Sequence, residues 1–321
     1  MRNGRDRGIG VDGMTILVFG SLNMDLIAQT SRFPMVGETL MGRSFATLPG
    51  GKGANQAVAV ARLGVPAVMV GRVGPDGFGR DLLASLQMAG VDTSAVRVDA
   101  STHSGVAMIT VDDRAENHIL VIPGANGRVD GSDVEQVKIR LAGASALLLQ
   151  LEVPLPAVLA AAQAARSAGI PVILDPAPAQ ADLPQELYAC VDILTPNEVE
   201  AAQLVGFPIE GPQAWTQAAM MLRDRGVATV LIKLGAQGVF CATAGENFFI
   251  PAFPVHAVDT VAAGDIFNGG LAAGLAQGKS LRQAVTWGVA AAALSVTRPG
   301  AQSSMPDRPT FEAFLAAKNI T

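Results

Sequence analysis

The sequence predicts an α/β protein, a three-layer α/β/α domain with a mostly parallel central sheet and a small antiparallel sheet beside it. Three observations lead there. Short apolar runs such as "TILVFG" (15–20), "PVILD" (171–175) and "TVLIKLG" (229–235) alternate with segments of helical period. Uninterrupted apolar runs are what strands need when helices cover both faces of a sheet. Residues 26–48 and 102–123 instead alternate apolar and polar side chains, the pattern of strands with one covered face.

The elements follow in order. Strand 15–20 closes in a glycine turn, and helix 54–63 is ended by Gly64. Strand 67–70 and helix 79–89, stopped by Gly90, come next. Then follow strand 146–152, helix 155–168, strands 171–175 and 191–197, helices 198–205 and 215–225, and strand 229–235. Helices 263–276, 281–297 and 310–318 complete the chain. The stretch "GVAMITVDDRAENHILVI" (105–122) reads as a hairpin turning near 112–116. No Pro-, Gly- or Ser-rich linker divides residues 14–321, so they form one domain. Residues 1–13 are polar and glycine-rich and read as a disordered extension, with Met14 as the natural start.

Composition narrows the function. Of 321 residues, 50% are hydrophobic and 16% charged, with a net charge of −5, which suits a soluble globular protein. Without basic runs interleaved with aromatics, nucleic acid is not an expected partner. No long apolar segment predicts a signal peptide or membrane span. Two distant cysteines (Cys190, Cys241) and three scattered histidines (His103, His118, His256) fit a reducing cytoplasmic setting and no zinc site.

Ligands of parallel sheets bind at the carboxyl ends of the strands. Asn23, Asp25, Glu152, Asp175, Asn197 and Gly235 are candidates by that position. "PGGKGANQAVAVARLG" (49–64) opens a helix with closely spaced glycines, where backbone N–H groups can approach a ligand. Lys52 is followed by Gly53, so this is not the G-x-x-x-x-G-K-[ST] loop; a packing turn and a binding turn both remain open. "GRVGPDGFG" (71–79) reads as a plain strand-to-helix connection. In "TPNEVEA" (195–201), Asn197 can cap a helix, with Glu198 and Glu200 in its first turn. The same Asn197 and Glu200 could instead reach a phosphate and a hydrated Mg²⁺. "KLGAQGV" (233–239) suits a nucleotide-lining turn or a simple chain reversal.

The segment "DTVAAGDIFNGG" (259–270) poses the sharpest question. Asp265 sits among small and apolar residues where a helix begins. It is either a cap or a carboxylate kept for chemistry. In the second case, N–H groups of Ala262, Ala263 and Gly264 would stabilise an anion beside a proton acceptor, as phosphoryl transfer requires.

Seven motifs in order carry a resemblance that spans almost the whole chain, from about residue 15 to 315. They are "GSLNMD" (20–25), "GGKGANQAVA" (50–59), "LQLE" (149–152), "DPAPA" (175–179), "TPNEVE" (195–200), "DTVAAGD" (259–265) and "VTRPGAQSS" (296–304). Together the chain resembles the ribokinase/phosphofructokinase-B family of sugar kinases. That resemblance implies an ATP-dependent kinase acting on the primary hydroxyl of ribose, with Asp265 as general base and the 262–264 N–H groups as anion hole. Asn23, Asp25, Gly50, Gly51, Lys52, Asn55 and Glu152 would hold the sugar. Asn197 and Glu200 would serve ATP phosphate and hydrated Mg²⁺. Lys233, Leu234, Gly235, Ala236, Gly238, Gly264 and Val289 would line the nucleotide. A K⁺ site would use Asp259, Val261, Ser295, Arg298, Gly300 and Ser304, mostly through main-chain oxygens. The alternating segments would form a lid that also makes a homodimer contact.

Three residues depart from the pattern the resemblance suggests: Ile266 where Thr is usual, Val289 where Asn or His is frequent, and Lys233 where Thr is frequent. Other readings are a sister kinase for deoxyribose, fructose or a keto-deoxy sugar acid, and a non-catalytic sugar or nucleotide sensor. A dinucleotide dehydrogenase is disfavoured because no G-x-G-x-x-G follows the first strand.

Overall fold

The computed structural model describes residues 14–114 and 116–320; the extension 1–13 lies outside the described residues. The chain runs β1 (Thr15–Phe19), β2 (Asn23–Gln29), β3 (Ser44–Gly50), α1 (Lys52–Arg62), β4 (Ala67–Val73), α2 (Gly77–Met88), β5 (Asp92–Val98), β6 (Gly105–Val111) and β7 (Asn117–Ile122). It continues through α3 (Gly131–Arg140), β8 (Ala144–Leu149), α4 (Leu155–Ala168), β9 (Val172–Leu174), α5 (Gln185–Tyr188), β10 (Ile193–Leu194), α6 (Glu198–Val205) and α7 (Gly211–Asp224). It ends with β11 (Thr229–Lys233), β12 (Gly238–Ala242), β13 (Asn247–Pro251), α8 (Ala263–Ala276), α9 (Leu281–Ser295) and α10 (Arg308–Ala317).

Nine strands form the large sheet in the order β13-β12-β11-β10-β9-β8-β1-β4-β5. It is parallel from β5 to β11 and antiparallel only where β12 and β13 are added. The period of two along β1 divides the core: Ile16 and Val18 pack with α1, α2, α8, α9 and α10, while Leu17 and Phe19 pack with α3 to α7. The predicted three layers follow directly.

Residues β2, β3, β6 and β7 make the small sheet, in the order β3-β2-β6-β7. Its outer pairs are antiparallel, as expected, but β2 and β6 run parallel at its centre. Each half is a hairpin-like pair, and the chain passes through β4 and β5 of the large sheet between them. That passage returns β6 in the direction of β2, which alternation along each strand could not reveal.

Several boundaries differ from the sequence reading. Helix α1 starts at Lys52 rather than 54, because Gly51 turns the chain at φ 89°. Helix α7 starts at Gly211 rather than 215, with Pro212 in its first turn, where a missing N–H costs nothing. Strand β8 ends at Leu149, leaving Gln150 and Glu152 beyond the sheet edge. The apolar run 191–197 pairs only at Ile193–Leu194. Strands β5, β12 and β13 and helix α3 were not foreseen; β5 is an edge strand with mostly exposed, polar residues.

Helices α8 and α9 lie against each other through glycines. A Cβ on Gly274 would stand 2.9 Å from the Cα of Ala284, and one on Gly270 would stand 3.0 Å from the Cα of Gly288. Gly274→Leu should therefore force the helices apart and lower stability by about 1–3 kcal/mol, the usual cost of overpacking. Thermal unfolding reads this as a fall in Tm; an unchanged Tm contradicts the close packing.

Candidate active site

The chain leaves β1 towards β4 on one side, while β8 pairs with it on the other. A crevice forms at such a reversal, at the carboxyl ends of the strands. The candidates gather there. Ser21 follows β1, Gln150 and Glu152 follow β8, Asp175 follows β9, Asn197 follows β10, and Lys233 ends β11.

At one end of the crevice, Glu152 Oε2 accepts from the Ser21 hydroxyl, from the Lys52 backbone N–H (3.1 Å) and from Asn23 Nδ2 (3.4 Å). Asn126 fixes the Asn23 amide: its Nδ2 donates to Asn23 Oδ1 (2.7 Å) and to the Leu22 carbonyl (3.0 Å). Asn23 and Asp25 lie two apart on β2 and so share a face of the small sheet, opposite Gly50 and Leu48 of β3. Gly50 is required there, since a Cβ would stand 2.3 Å from Asp25 Oδ2.

Asp265 is 4% exposed and is not a helix cap. The N-cap of α8 is Ala262, in a left-handed conformation at φ 59°, and Asp265 is third in the helix. Its oxygens are held by two amides from α1: Oδ2 accepts from Asn55 Nδ2 (3.0 Å) and Oδ1 from Gln56 Nε2 (3.2 Å). The Gln56 nitrogen also donates to Asp175 Oδ2 (3.2 Å), while its oxygen accepts from Gln150 Nε2 (2.7 Å). Asn55 is held in turn by Gln302 Nε2 at 3.3 Å. Lys233 Nζ closes the far side, 2.9 Å from Asp175 Oδ1.

At the expected anion hole, the N–H groups of the α8 start differ in their partners. The Ala263 N–H donates to the Thr260 carbonyl at 3.2 Å, so it is already engaged. The N–H groups of Ala262, Gly264 and Asp265 remain without a protein acceptor among the described residues. The N-cap, an alanine, has no side-chain oxygen to take up those N–H groups.

Five carboxylates (Asp25, Glu152, Asp175, Glu200 and Asp265) thus surround two ammonium groups, Lys52 and Lys233. Burial, with Glu152 and Asp265 nearby, pushes Asp25 up to about 7. Burial likewise raises Asp265 to about 6; Lys52 and Asn55 oppose the rise, while Asp175 and Glu152 add to it. Burial alone would lower Lys52, but the charges of Asp265, Asp175, Glu152 and Glu200 outweigh it and hold Lys52 well above the usual lysine range. Glu200 is raised by burial against the pull of Lys233.

A cleft of about 730 Å³ runs from Lys52 and Asp265 past the start of α8. One wall is Lys233, Gly235, Ala236, Gly238 and Val239; the other includes Phe253, Pro254, Val255, Phe267, Val289 and Val296. Asn197 and Glu200 sit at its rim in a reciprocal capping box: Glu200 Oε2 accepts from the Asn197 N–H (2.7 Å) and Asn197 Oδ1 from the Glu200 N–H (2.8 Å). Leu234 is buried behind the wall. Ile266 points into the apolar core, where a methyl-bearing side chain packs without an unpaired hydroxyl.

Of the expected cation positions, Asp259, Val261 and Gly300 meet directly. Asp259 accepts from the Val261 N–H (2.9 Å) and the Gly300 N–H (2.8 Å), binding the two loops together. The Ser295 carbonyl accepts from the Arg298 N–H, and Ser295 and Ser304 are buried. The two serine hydroxyls donate to the Ala292 and Ala301 carbonyls.

Residues absent from the expected site are Gln56, Gln150, Gln302, Asn126 and Ser21. Gln56 follows Asn55 directly and Asp175 was a candidate by position alone. Ser21, Gln150 and Gln302 stand inside the quoted motifs without a role and Asn126 in none, because a buried polar side chain has no sequence pattern apart from the partner it meets.

A buried carboxylate at a helix N-terminus beside a cleft fits a class of protein, the small-molecule phosphotransferases. The pfkB family of carbohydrate kinases matches residues 14–308, and the chain belongs to that family. It is 42% identical to a ribokinase of Haemophilus influenzae over 94% of this chain and 98% of that one. It is 38% identical to a deoxyribokinase of Salmonella typhimurium over 94% and 99%. The structure of an Arabidopsis thaliana ribokinase complexed with ribose and ATP superposes with a TM-score of 0.87, at 35% identity, over 94% of this chain and 99% of that one.

The raised pKa of Asp25 has a consequence for stability. A carboxylate whose folded pKa lies near 7, against about 3.9 unfolded, keeps its proton longer in the folded state. Its contribution is present at low pH and is lost as pH rises through 7. Asp25→Asn should raise the Tm of the ligand-free protein at pH 8 and flatten its decline between pH 5 and 8. An equal or lower Tm at pH 8 contradicts the burial of that charge.

Proposed function

We propose that the chain transfers the γ-phosphoryl group of ATP to the primary O5 hydroxyl of D-ribose, giving ribose 5-phosphate and ADP. The observation that carries this reading is Asp265, buried at the start of α8 with its two oxygens held by Asn55 and Gln56. As general base it takes the O5 proton while the free N–H groups of the first turn face the moving phosphoryl group. The relatives named above support the sugar and the nucleotide.

Asn23, Asp25, Lys52, Asn55 and Glu152, with the Gly50–Gly51 backbone, hold the sugar hydroxyls. Carboxylates and amides can accept from and donate to vicinal hydroxyls, and a site built for a hydroxyl rejects an analogue without it. The wall from Lys233 to Gly238 lines ATP, with Gly264 against its phosphates and Val289 in the apolar slot for its base.

Asn197 and Glu200 fit a hydrated Mg²⁺. They present hard oxygens at the rim, and the cap uses only one lone pair of each Glu200 oxygen. Bound there, the ion would neutralise phosphate charge. The carbonyl-rich loops joined by Asp259 fit a K⁺ held by Asp259, Val261, Ser295, Arg298, Gly300 and Ser304, which would steady the turn before α8.

The small sheet acts as a lid over the sugar, moving with residues 26–48 and 102–123. Its other face, the side of Leu26 and Ala28, exposes Phe45, Met108 and Leu120, of which Met108 and Leu120 are register partners. Such an apolar strip supports a homodimer through the lid. No helix among the described residues is long and apolar enough to cross a membrane. Two buried free cysteines accord with the cytoplasm.

A second reading, deoxyribose, is favoured by the similarity to a deoxyribokinase. Both are tested by one coupled assay of ATP consumption on ribose and 2-deoxyribose, with wild type and Asp265→Asn. Wild type should favour ribose in kcat/KM, and Asp265→Asn should lose about 10²–10⁴-fold in rate. Equal kcat/KM for the two sugars contradicts the ribose assignment, and an active Asp265→Asn variant contradicts the base.

A further inference from the structure

Lys233 ends β11 in the middle of the cleft, with a side chain 12% exposed. Its ammonium carries three protons. Asp175 is its one hydrogen-bond acceptor among the described residues, at 2.9 Å. Two N–H donors are therefore left facing the cleft.

The surroundings of that ammonium are unusual. A Cβ built on Gly264 would stand only 3.2 Å from Nζ, so the charge lies against the first turn of α8. A helix N-terminus is itself electropositive, and a cation placed there is repelled. That electropositive end is made by the free N–H groups of Gly264 and Asp265. An anion seated between the helix start and Nζ is attracted by both. The buried ion pair with Asp175 alone does not explain the position, since such a pair gains little over an apolar one.

Asp175 is itself fixed from a second direction. Its Oδ2 accepts from Gln56 Nε2, the nitrogen that also holds Asp265. Base, amide, carboxylate and ammonium thus form one chain of hydrogen bonds, with the phosphoryl position between its two ends.

We propose that Lys233 is a catalytic cation, oriented by Asp175 so that its ammonium contacts the transferred phosphoryl group at the start of α8. The proposal rests on the kinase reading. In the step, a sugar oxygen forms the new P–O bond and its proton passes to Asp265. The bond from the γ-phosphorus to the bridging oxygen breaks, and its electron pair leaves on ADP. Lys233 stays protonated throughout and offsets the charge on the phosphoryl oxygens. Asp175 is a positioning residue.

The test compares wild type with Lys233→Met, Lys233→Arg and the charge-neutral double variant Lys233→Met/Asp175→Asn, the last guarding against misfolding from an orphaned Asp175. For Lys233→Met, kcat with ribose and ATP should fall by about 10²-fold, within the range seen when one stabilising donor is removed. KM for ribose should stay within twofold, and calorimetric affinity should drop more for a non-hydrolysable ATP analogue than for ADP. Lys233→Arg should recover part of kcat by keeping the charge, and the double variant should be as slow as Lys233→Met. A folded Lys233→Met or double variant that keeps kcat within threefold of wild type overturns this proposal and leaves the kinase reading standing. A wild type that makes no sugar phosphate overturns both.

Discussion

Everything at this site depends on how one carboxylate is kept charged inside the protein. Asp265 is nearly fully buried, in a helix whose other residues, Asn268 apart, are small or apolar. Desolvating an ion is tolerable only with partners. Here the partners are neutral amides on a different helix, α1, which orient the oxygens and lower their basicity only in part, so that burial still holds the carboxyl raised. Lys52 supplies the compensating charge from a distance, against the opposing carboxylates. A direct ion pair would hold Asp265 more firmly but make it a poorer proton acceptor near neutral pH.

The glycines follow from that demand for close approach. Gly50 makes room for the Asp25 carboxylate, and Gly51, at positive φ, brings the start of α1 within 2.6 Å, at its missing Cβ, of the Asn23 nitrogen. Gly20 leaves space for the Gln150 amide that orients Gln56. Behind them, Gly270, Gly274 and Gly288 let α8 and α9 pack almost backbone to backbone. The element carrying the base is thereby anchored in the core, and the small sheet is tied to the same crevice through β2.

Much of this was legible in the sequence, for physical reasons that differ by element. Helices 155–168 and 198–205 were read at their observed ends because Pro154, Gly169, Asn197 and Gly206 punctuate them. The strands β5, β12 and β13 were not, since polar edge strands and a late antiparallel addition break the apolar rhythm that identified the others. Asp265, Asn55, Lys52 and Glu152 fell together as expected because short motifs keep them near strand ends and helix starts. The amide network through Gln56, Gln150 and Gln302 was hidden, because its members meet only after β1, β8, α1 and the 302 loop have assembled. Ala263 illustrates a finer limit: which N–H groups of a first turn stay free depends on the left-handed Ala262, a conformation no alanine advertises.

The central claim is that a sugar hydroxyl and a terminal phosphate meet at Asp265. A crystal structure of the protein with ribose and a non-hydrolysable ATP analogue tests it most directly. The O5 hydroxyl is expected within about 2.6–3.2 Å of an Asp265 oxygen, and the terminal phosphate against the N–H groups of Gly264 and Asp265. A sugar whose primary hydroxyl points away from Asp265, or a phosphate lodged elsewhere in the cleft, would contradict it.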